Sequence, residues 1–296
     1  MLVILRAPAV RRGPRSRQVW FATLFGAFGL LCRGTFIPPP TLDALLGSHN
    51  WLNLAQNLFA TAAFWLAVRG IIGLVRETPQ PSYLAGLLIT CAAISLPFVF
   101  VQKGDHTDGR AFIAMNIGQT PMLIYVIIYT ATVGILASEL LIAIRRRSSR
   151  FYIPFRTGAI LVVIASADEL AYAILAHWRL STQDLRGLLY TSFTPLFYPG
   201  LIFITIACFL FLGARAWQRR RALELVARLD PEAASRGRHP QGEIVLLYET
   251  VVHISDRAVL NTGPQNPALA EAEDLLSHYL ALRIPRFRRA ITYKPQ

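Results

Sequence analysis

Charged residues are scarce in this sequence. Only 16% of its 296 residues are charged and only 17 are acidic, whereas roughly a quarter of the residues in soluble domains are charged. More than half of the residues are apolar, and they form runs of about 18–25 residues, long enough for a helix to cross a bilayer. This composition argues against an ordinary soluble domain and indicates an integral membrane protein.

Cysteine and catalytic motifs are also scarce. The three cysteines all lie inside apolar runs without metal-ligand spacing, and their odd number argues against a disulfide framework. They are Cys32, Cys91 and Cys208. The sequence contains no HExxH, GxSxG, Walker A or GxGxxG motif. We therefore expect no catalytic residues, no metal and no cofactor, and do not expect an enzyme.

The formal net charge of +13 is compatible in principle with a nucleic-acid partner. Such a protein is expected to carry a basic face with base-reading side chains. Here the arginines instead cluster at the ends of apolar runs, as they do on the cytoplasmic side of membrane helices. We therefore expect the lipid bilayer, and not nucleic acid, as the partner of the apolar part.

The predicted fold is an all-α polytopic bundle of about six transmembrane spans. Arg33 interrupts the first of them, and no signal-peptide cleavage site follows that span. The predicted spans are Val19–Phe36, Trp51–Val75, Tyr83–Val101, Pro121–Ile144, Phe155–His177 and Phe197–Trp217. Between the first two spans, Thr41–Leu46 is predicted to form a short helix on the membrane surface.

The distribution of arginine predicts the orientation. The N-terminal segment, Arg145–Arg150 and Arg219–Arg221 are arginine-rich and fall on one side of a six-span bundle, whereas the opposite loops carry few positive charges. The positive-inside rule then places both termini in the cytoplasm. Tryptophans at the span ends support these boundaries, because their rings favour the headgroup layer.

The sequence predicts four regions along the chain. They are a basic cytoplasmic N-terminus (1–18), the transmembrane bundle (19–217), a basic helix and linker (218–241), and a cytoplasmic helical hairpin with a basic tail (242–296). The hairpin is too small to bury a core of its own. We therefore expect it to contact the membrane, the bundle or a cytoplasmic protein, with Tyr248, His253 and Asp256 as the candidate partner surface.

Two adjacent acids, Asp168 and Glu169, lie near the middle of the fifth predicted span. An ionised side chain in hydrocarbon costs at least about 2.5–3.5 kcal/mol, so such residues normally face the bundle interior or water. Tyr172 lies one turn away on the same helix. The second span carries a polar stripe at a depth that allows contact with these acids, formed by Asn53, Gln56, Asn57 and Thr61.

This polar set has two interpretations. It is either a pocket for a proton, a cation or a small polar ligand, or a set of hydrogen bonds that join helices, which is a common use of polar side chains in membranes. Arg69 and Glu139 form a second candidate pair, because their depths are equal and their charges opposite. In the alternative, each side chain extends to the headgroups.

The histidines give little indication of a metal site or a catalytic site. His106, between Asp105 and Asp108, fits a solvated turn better than a weak metal site. His177 lies at a span end, where an interfacial role is expected.

Two segments resemble a known family. The run Leu42–Gly47 with Asn50, followed by a span, and the run Leu247–Asp256 are similar to bacterial multi-pass membrane proteins that are labelled as transporters and carry a C-terminal domain of unknown function. Met1–Pro8 resembles the end of that family's first helix, and the resemblance therefore implies that one of the seven spans of the family is missing here. The resemblance implies a transporter or small-ligand-binding bundle in the bacterial cytoplasmic (inner) membrane. The alternative is a membrane sensor or scaffold that signals through residues 242–296.

Overall fold

A computed structural model describes residues 14–34, 37–76, 83–103, 112–145 and 150–229. All regular structure in these residues is helical. The helices are α1 (Pro14–Cys32), α2 (Pro39–Ala44), α3 (Trp51–Arg76), α4 (Tyr83–Val99), α5 (Phe112–Asn116), α6 (Thr120–Ile144), α7 (Ile153–His177) and α8 (Gln183–Leu229), with a 3-10 turn at Arg150–Tyr152.

The helix lengths support the predicted class. Within the described residues, four stretches are long and apolar enough to cross a membrane: Trp51–Gly73, Thr120–Ile144, Ile153–His177 and Gln183–Phe211. Two apolar helices are shorter, Arg17–Cys32 and Leu84–Val99. The chain is thus a multi-pass α-helical protein whose apolar helices suit a bilayer. The exposed leucines and isoleucines of α4 fit contact with lipid.

One predicted boundary is wrong. The last apolar helix begins at Gln183 and not at Phe197, so Arg186 lies inside α8 and not in a loop. Pro195 and Pro199 lie within this helix. Membrane helices tolerate proline because neighbouring side chains satisfy the freed backbone groups. The predicted basic helix after Trp217 is present, since α8 continues to Leu229.

The chain divides into two units, residues 1–207 and 208–296. Of the second unit, the structure describes only the end of α8, where Arg221 lies over the ring of Trp217 at 5.5 Å. The predicted hairpin and basic tail lie outside the described residues, as do the start of the N-terminal segment and the turn at 105–109.

Proline marks the beginning of several helices. Pro39, Pro121 and Pro154 occupy the first turns of α2, α6 and α7, where a missing backbone N–H costs no hydrogen bond. Arg156 donates to the carbonyl oxygens of Ile144 and Arg145. This side chain satisfies carbonyls at the end of α6 that have no helical donor.

Helix α6 occupies the middle of the first unit, where it packs against α3, α4 and α7, while α1 packs against α3. Aromatic side chains fill the core near the start of α3: the Phe98 ring lies 5.6 Å from Trp51 and 5.1 Å from Tyr125. Both Phe98 and Tyr125 are fully buried. The neighbours of α6 decide which polar side chains meet inside the bundle.

Two glycines allow α7 and α8 to approach closely. A Cβ atom at Gly158 would lie 2.6 Å from the Gly200 carbonyl oxygen and 2.9 Å from the Ile204 nitrogen. Small residues at such crossings let helix backbones pack directly in membranes. At Gly187 on α8, an added Cβ atom would meet only open space.

We predict that Gly158→Ala destabilises the protein by about 1–3 kcal/mol, because the added methyl displaces backbone rather than a flexible side chain. Gly187→Ala is the matched control and should be neutral, or stabilising by up to about 1 kcal/mol through helix propensity. Thermal unfolding in detergent, followed by a thiol-reactive dye on the native cysteines, measures both. Equal effects of the two substitutions would contradict the close crossing.

Candidate functional site

Glu169 lies about two-thirds of the way along α7 and is 7% exposed. Within the described residues its carboxyl group makes no hydrogen bond and no ion pair. The neighbouring charge on Asp168 acts on it directly. A buried carboxyl group normally has a hydrogen-bond or cation partner. Glu169 is therefore an unusual polar side chain among the described residues.

Asp168, unlike Glu169, has a hydrogen-bond partner. Its Oδ2 accepts a hydrogen bond from the Ser192 hydroxyl of α8 at 2.7 Å. Ser192 also contacts the carbonyl oxygen of Leu189 at 2.9 Å, in its own helix. Adjacent residues point about 100° apart on a helix, which separates the two acids. Asp168 thus takes part in an interhelical hydrogen bond, whereas Glu169 does not.

Glu169 interacts electrostatically with two tyrosines, Tyr129 of α6 and Tyr172 of its own helix. Each of these belongs to a ring pair: the rings of Tyr125 and Tyr129 are 5.4 Å apart, and those of Tyr172 and Tyr190 on α8 are also 5.4 Å apart. Phenol groups of two helices, α6 and α7, therefore interact with the acid.

The polar stripe of α3 meets α6 and not the acids. The Asn57 side-chain amide donates to the Tyr125 hydroxyl at 2.6 Å, and that hydroxyl donates to Asn53 Oδ1 at 3.2 Å. The expected approach of Asn57 to Asp168 thus gives no hydrogen bond. The reason is that α6 packs against both α3 and α7, and Tyr125 takes up the amides.

The other two members of the stripe also give no hydrogen bond to the acids within the described residues. Thr61 is buried, at 1% exposed. The backbone carbonyl oxygen of Gln56 lies on the side of α3 that faces Gly29 of α1. The stripe therefore does not form one hydrogen-bonded set with the acids of α7.

Sequence reasoning missed Tyr125 and Ser192. Tyr125 is fully buried and carries the amide contacts, while Ser192 binds Asp168. Both lie in apolar runs where a single tyrosine or serine is common. Only a knowledge of which helices are neighbours could have singled them out.

Arg69 and Glu139 are brought together. Arg69 Nη1 lies 2.9 Å from Glu139 Oε2, and Arg69 Nη2 donates to Oε1 at 3.3 Å. The arginine guanidinium also stacks over the Trp65 ring, 5.1 Å from its centroid. The pairing of two oxygens with two nitrogens fixes both side chains between α3 and α6. Neither side chain therefore extends alone to the headgroups.

Asp43 has a structural role that explains the run Leu42–Gly47. Its carboxylate is fully buried and accepts the backbone N–H groups of Asn50 and Leu52, each at 2.8 Å. These donors lie at the start of α3, where helical N–H groups lack partners. Gly47 and Asn50 have φ of 94° and 59°, which the turn back to α3 requires. The segment is a helix cap.

The remaining candidate residues give little indication of a binding or catalytic role. His177 Nδ1 lies 2.8 Å from the carbonyl oxygen of Ile117, which joins the end of α7 to the segment before α6. Tyr248, His253 and Asp256 lie outside the described residues, and so does His106. Within the part of the chain that the structure describes, no three potential metal ligands of the His, Cys, Asp and Glu types cluster together.

The helices and the buried acid indicate a multi-pass α-helical membrane protein. Comparison with known proteins adds no relative, since no family model matches the chain and neither a curated protein nor a solved structure matches it. The resemblance to transporter-labelled proteins therefore stays a prediction.

We predict that Arg69 and Glu139 are energetically coupled by about 1 kcal/mol, since the pair is bidentate but partly exposed. A double-mutant cycle of Arg69→Gln and Glu139→Gln, with unfolding measured in increasing dodecyl sulfate, gives this value. Each substitution alone should lower the free energy of unfolding by more than the same substitution does when the partner residue has already been replaced. Strictly additive losses would show that the two groups contribute independently.

Proposed function

We propose that this protein is a bacterial cytoplasmic-membrane protein of six spans that binds a proton or a small cation at Glu169, as a transporter or ligand-binding bundle. One observation supports this most strongly. A carboxyl group that is 7% exposed, inside an apolar helix of bilayer-spanning length, has no hydrogen-bond or ion-pair partner in the described residues. Ionisable residues in that position commonly mark ion or proton pathways.

The chemistry follows from the cost of burying charge. An unpaired carboxylate in an apolar interior is strongly disfavoured, so the group either takes up a proton or attracts a cation. Protonation and cation binding each neutralise the charge of the carboxylate. Exchange between them couples the movement of protons to the movement of cations.

Interhelical hydrogen bonding accounts for the other polar groups. Asp168 is bound by Ser192, and Asn53 and Asn57 are bound by Tyr125. These contacts join helices, as that interpretation expects. Glu169 is not used in this way, so the binding role is assigned to Glu169 alone, with Asp168 as its charged neighbour.

The adjacent part of α8 has a weakened backbone. Pro195 and Pro199 lack N–H groups, so the carbonyls of Thr191 and Pro195, four residues earlier, lose their helical donors. Ser192, which contacts Asp168, lies in this turn. Transporters often place interrupted helices beside their ion sites. A helix that can adjust beside the acids supports a role in transport.

We predict that alkaline phosphatase fused after His106 or Leu180 is active and that fusions after Gln80, Ser148 or Leu229 are inactive. The enzyme folds only outside the cytoplasm, and the arginine-rich segments should stay inside. Activity of fusions in cells of a bacterial host measures this. Active fusions after Ser148 and Leu229 would contradict cytoplasmic termini.

We predict that Asp168→Asn combined with Glu169→Gln abolishes cation-coupled proton movement. The amides keep the shape of the acids, but they take up no proton at neutral pH and carry no negative charge to balance a cation. The purified protein is placed in liposomes with a trapped pH-sensitive dye, and a gradient of mixed sodium and potassium chloride is imposed. The wild type should change the internal pH faster than empty liposomes, and the double variant should not.

Glu224→Gln is the control, because Glu224 is exposed on the basic end of α8. It should behave as wild type. A folded double variant with wild-type rates would overturn the assignment of Glu169, and a wild type no faster than empty liposomes would overturn the transporter form of the proposal.

A further inference from the structure

Lys103 places its ammonium group against two aromatic rings. Its Nζ atom lies 4.2 Å from the centroid of the Trp51 ring and 4.5 Å from that of the Phe98 ring. Trp51 is the first residue of α3, whereas Phe98 lies near the end of α4. The face of an aromatic ring attracts a cation within about 6 Å of its centroid, so both rings contribute. We call Trp51 and Phe98 the aromatic cage.

The described residues offer this ammonium group no other partner. Within them, Lys103 makes no hydrogen bond and no ion pair. An ammonium group carries three N–H donors, and the rings supply no oxygen or nitrogen acceptor for them. Burial lowers the pKa of the Lys103 amine, because a cation loses hydration when it leaves water. The aromatic cage therefore attracts the charge of a cation but leaves its N–H groups unsatisfied.

The bundle itself holds the two rings in place. Phe98 is fully buried, and its ring lies 5.8 Å from that of Phe112 and 5.1 Å from that of Tyr125. The Trp51 ring lies 5.6 Å from that of Phe98. A site whose side chains are already ordered loses little conformational freedom when a ligand binds. The aromatic cage should therefore persist when the lysine side chain leaves it.

Only the side chain of Lys103 has to move for the aromatic cage to open. The Gln102 N–H donates to Gln119 Oε1 at 2.8 Å, and Gln119 Nε2 donates to the Gln102 carbonyl oxygen at 3.1 Å. The same Nε2 donates to Asn116 Oδ1 at 2.8 Å. These hydrogen bonds fix the backbone just before Lys103. Since the lysine side chain is long and flexible, it can turn away while they stay intact.

We infer that the aromatic cage binds a quaternary ammonium ligand of the choline type, and that Lys103 occupies the cage as an internal competitor. A quaternary ammonium group is positively charged and has no N–H donor, so it loses no hydrogen bond in a cage without acceptors. Aromatic cages recognise such ligands through the faces of their rings. In the orientation proposed above, residue 103 lies outside the cytoplasm, where external solutes arrive. The cage shares no residue with the surroundings of Glu169, so this inference goes beyond the proposed function.

Lysine labelling tests whether Lys103 occupies the cage. The sequence contains only two lysines, Lys103 and Lys294, so reductive methylation with isotope-labelled formaldehyde marks few groups besides the terminal amine. A dimethylated lysine keeps its positive charge. The Lys103 methyl groups, which lie over two ring faces, should give an NMR signal shifted upfield by the ring currents. Lys103→Gln identifies that signal by its loss.

Choline should displace the lysine from the aromatic cage. Choline chloride replaces sodium chloride at constant ionic strength in samples of the detergent-purified full chain. The Lys103 signal should then move, in a saturable way, toward the position of an exposed lysine. Dimethylbutanol, the uncharged carbon analogue of choline, should leave the signal in place, because it has no charge for the rings to attract.

Removal of the competitor should strengthen binding. Lys103→Gln should bind choline about tenfold more tightly than the wild type, because an occupied cage lowers the fraction of protein that is competent to bind. The rise of the unfolding temperature with choline concentration measures this affinity. In the Lys103→Gln background, Trp51→Leu should abolish the response, whereas Trp51→Phe keeps an aromatic face and should retain most of it. Trp217→Leu is the matched control and should change nothing, since Trp217 is exposed and pairs with Arg221.

Each contrary result removes a defined part of the inference. No choline response in Lys103→Gln, or a response that survives Trp51→Leu, would overturn the aromatic cage as a ligand site. A Lys103 signal at the position of an exposed lysine before choline is added would overturn its role as the occupant. Equal displacement by dimethylbutanol would overturn the assignment of a charged ligand. None of these results bears on Glu169, whose role is tested by proton movement.

Discussion

Hydrocarbon solvates neither a bare charge nor an unpaired backbone group, and this constraint orders the whole bundle. It keeps the apolar segments helical. It also explains why Arg69 contacts Glu139 with both guanidinium nitrogens, why the backbone N–H groups before α3 point to the buried Asp43, and why the Asp168 carboxylate has Ser192 beside it. Against this background, the Glu169 carboxyl group is the exception, because among the described residues it has no hydrogen-bond or ion-pair partner.

The position of α6 determines how polar groups are distributed. Because α6 packs against α3, α4 and α7, its Tyr125 receives the amides of Asn53 and Asn57. The amides are then fully occupied in joining helices, and they do not reach the acids of α7. The same helix carries Tyr129, whose ring lies 5.4 Å from that of Tyr125 and which interacts electrostatically with Glu169. Because residues four apart share a helix face, one face of α6 serves both the interhelical hydrogen bonds and the surroundings of the acid.

Much of the fold could be predicted from the sequence. Hydropathy located α3, α4, α6 and α7 within a few residues, since crossing a bilayer requires a minimum apolar length; the short helix α5 was not predicted. Depth and opposite charge were enough to pair Arg69 with Glu139. The start of α8 was misplaced because prolines usually end helices in water, whereas α8 continues through Pro195 and Pro199. The run around Asp43 was noticed only as a resemblance, and its role as a cap depends on the return of the chain to α3.

The sequence by itself determined the class of protein and the presence of two acids inside one apolar helix, because composition and the thickness of a bilayer suffice for these. Only the tertiary structure decided which of the two acids has a hydrogen-bond partner. That outcome depends on which helices are neighbours and on which face each presents, and these follow from close contacts such as Gly158 with Gly200 and Gly134 with Ser166. Packing between distant segments is not encoded in any local pattern, so the difference between Asp168 and Glu169 could not be read from their shared position in the chain.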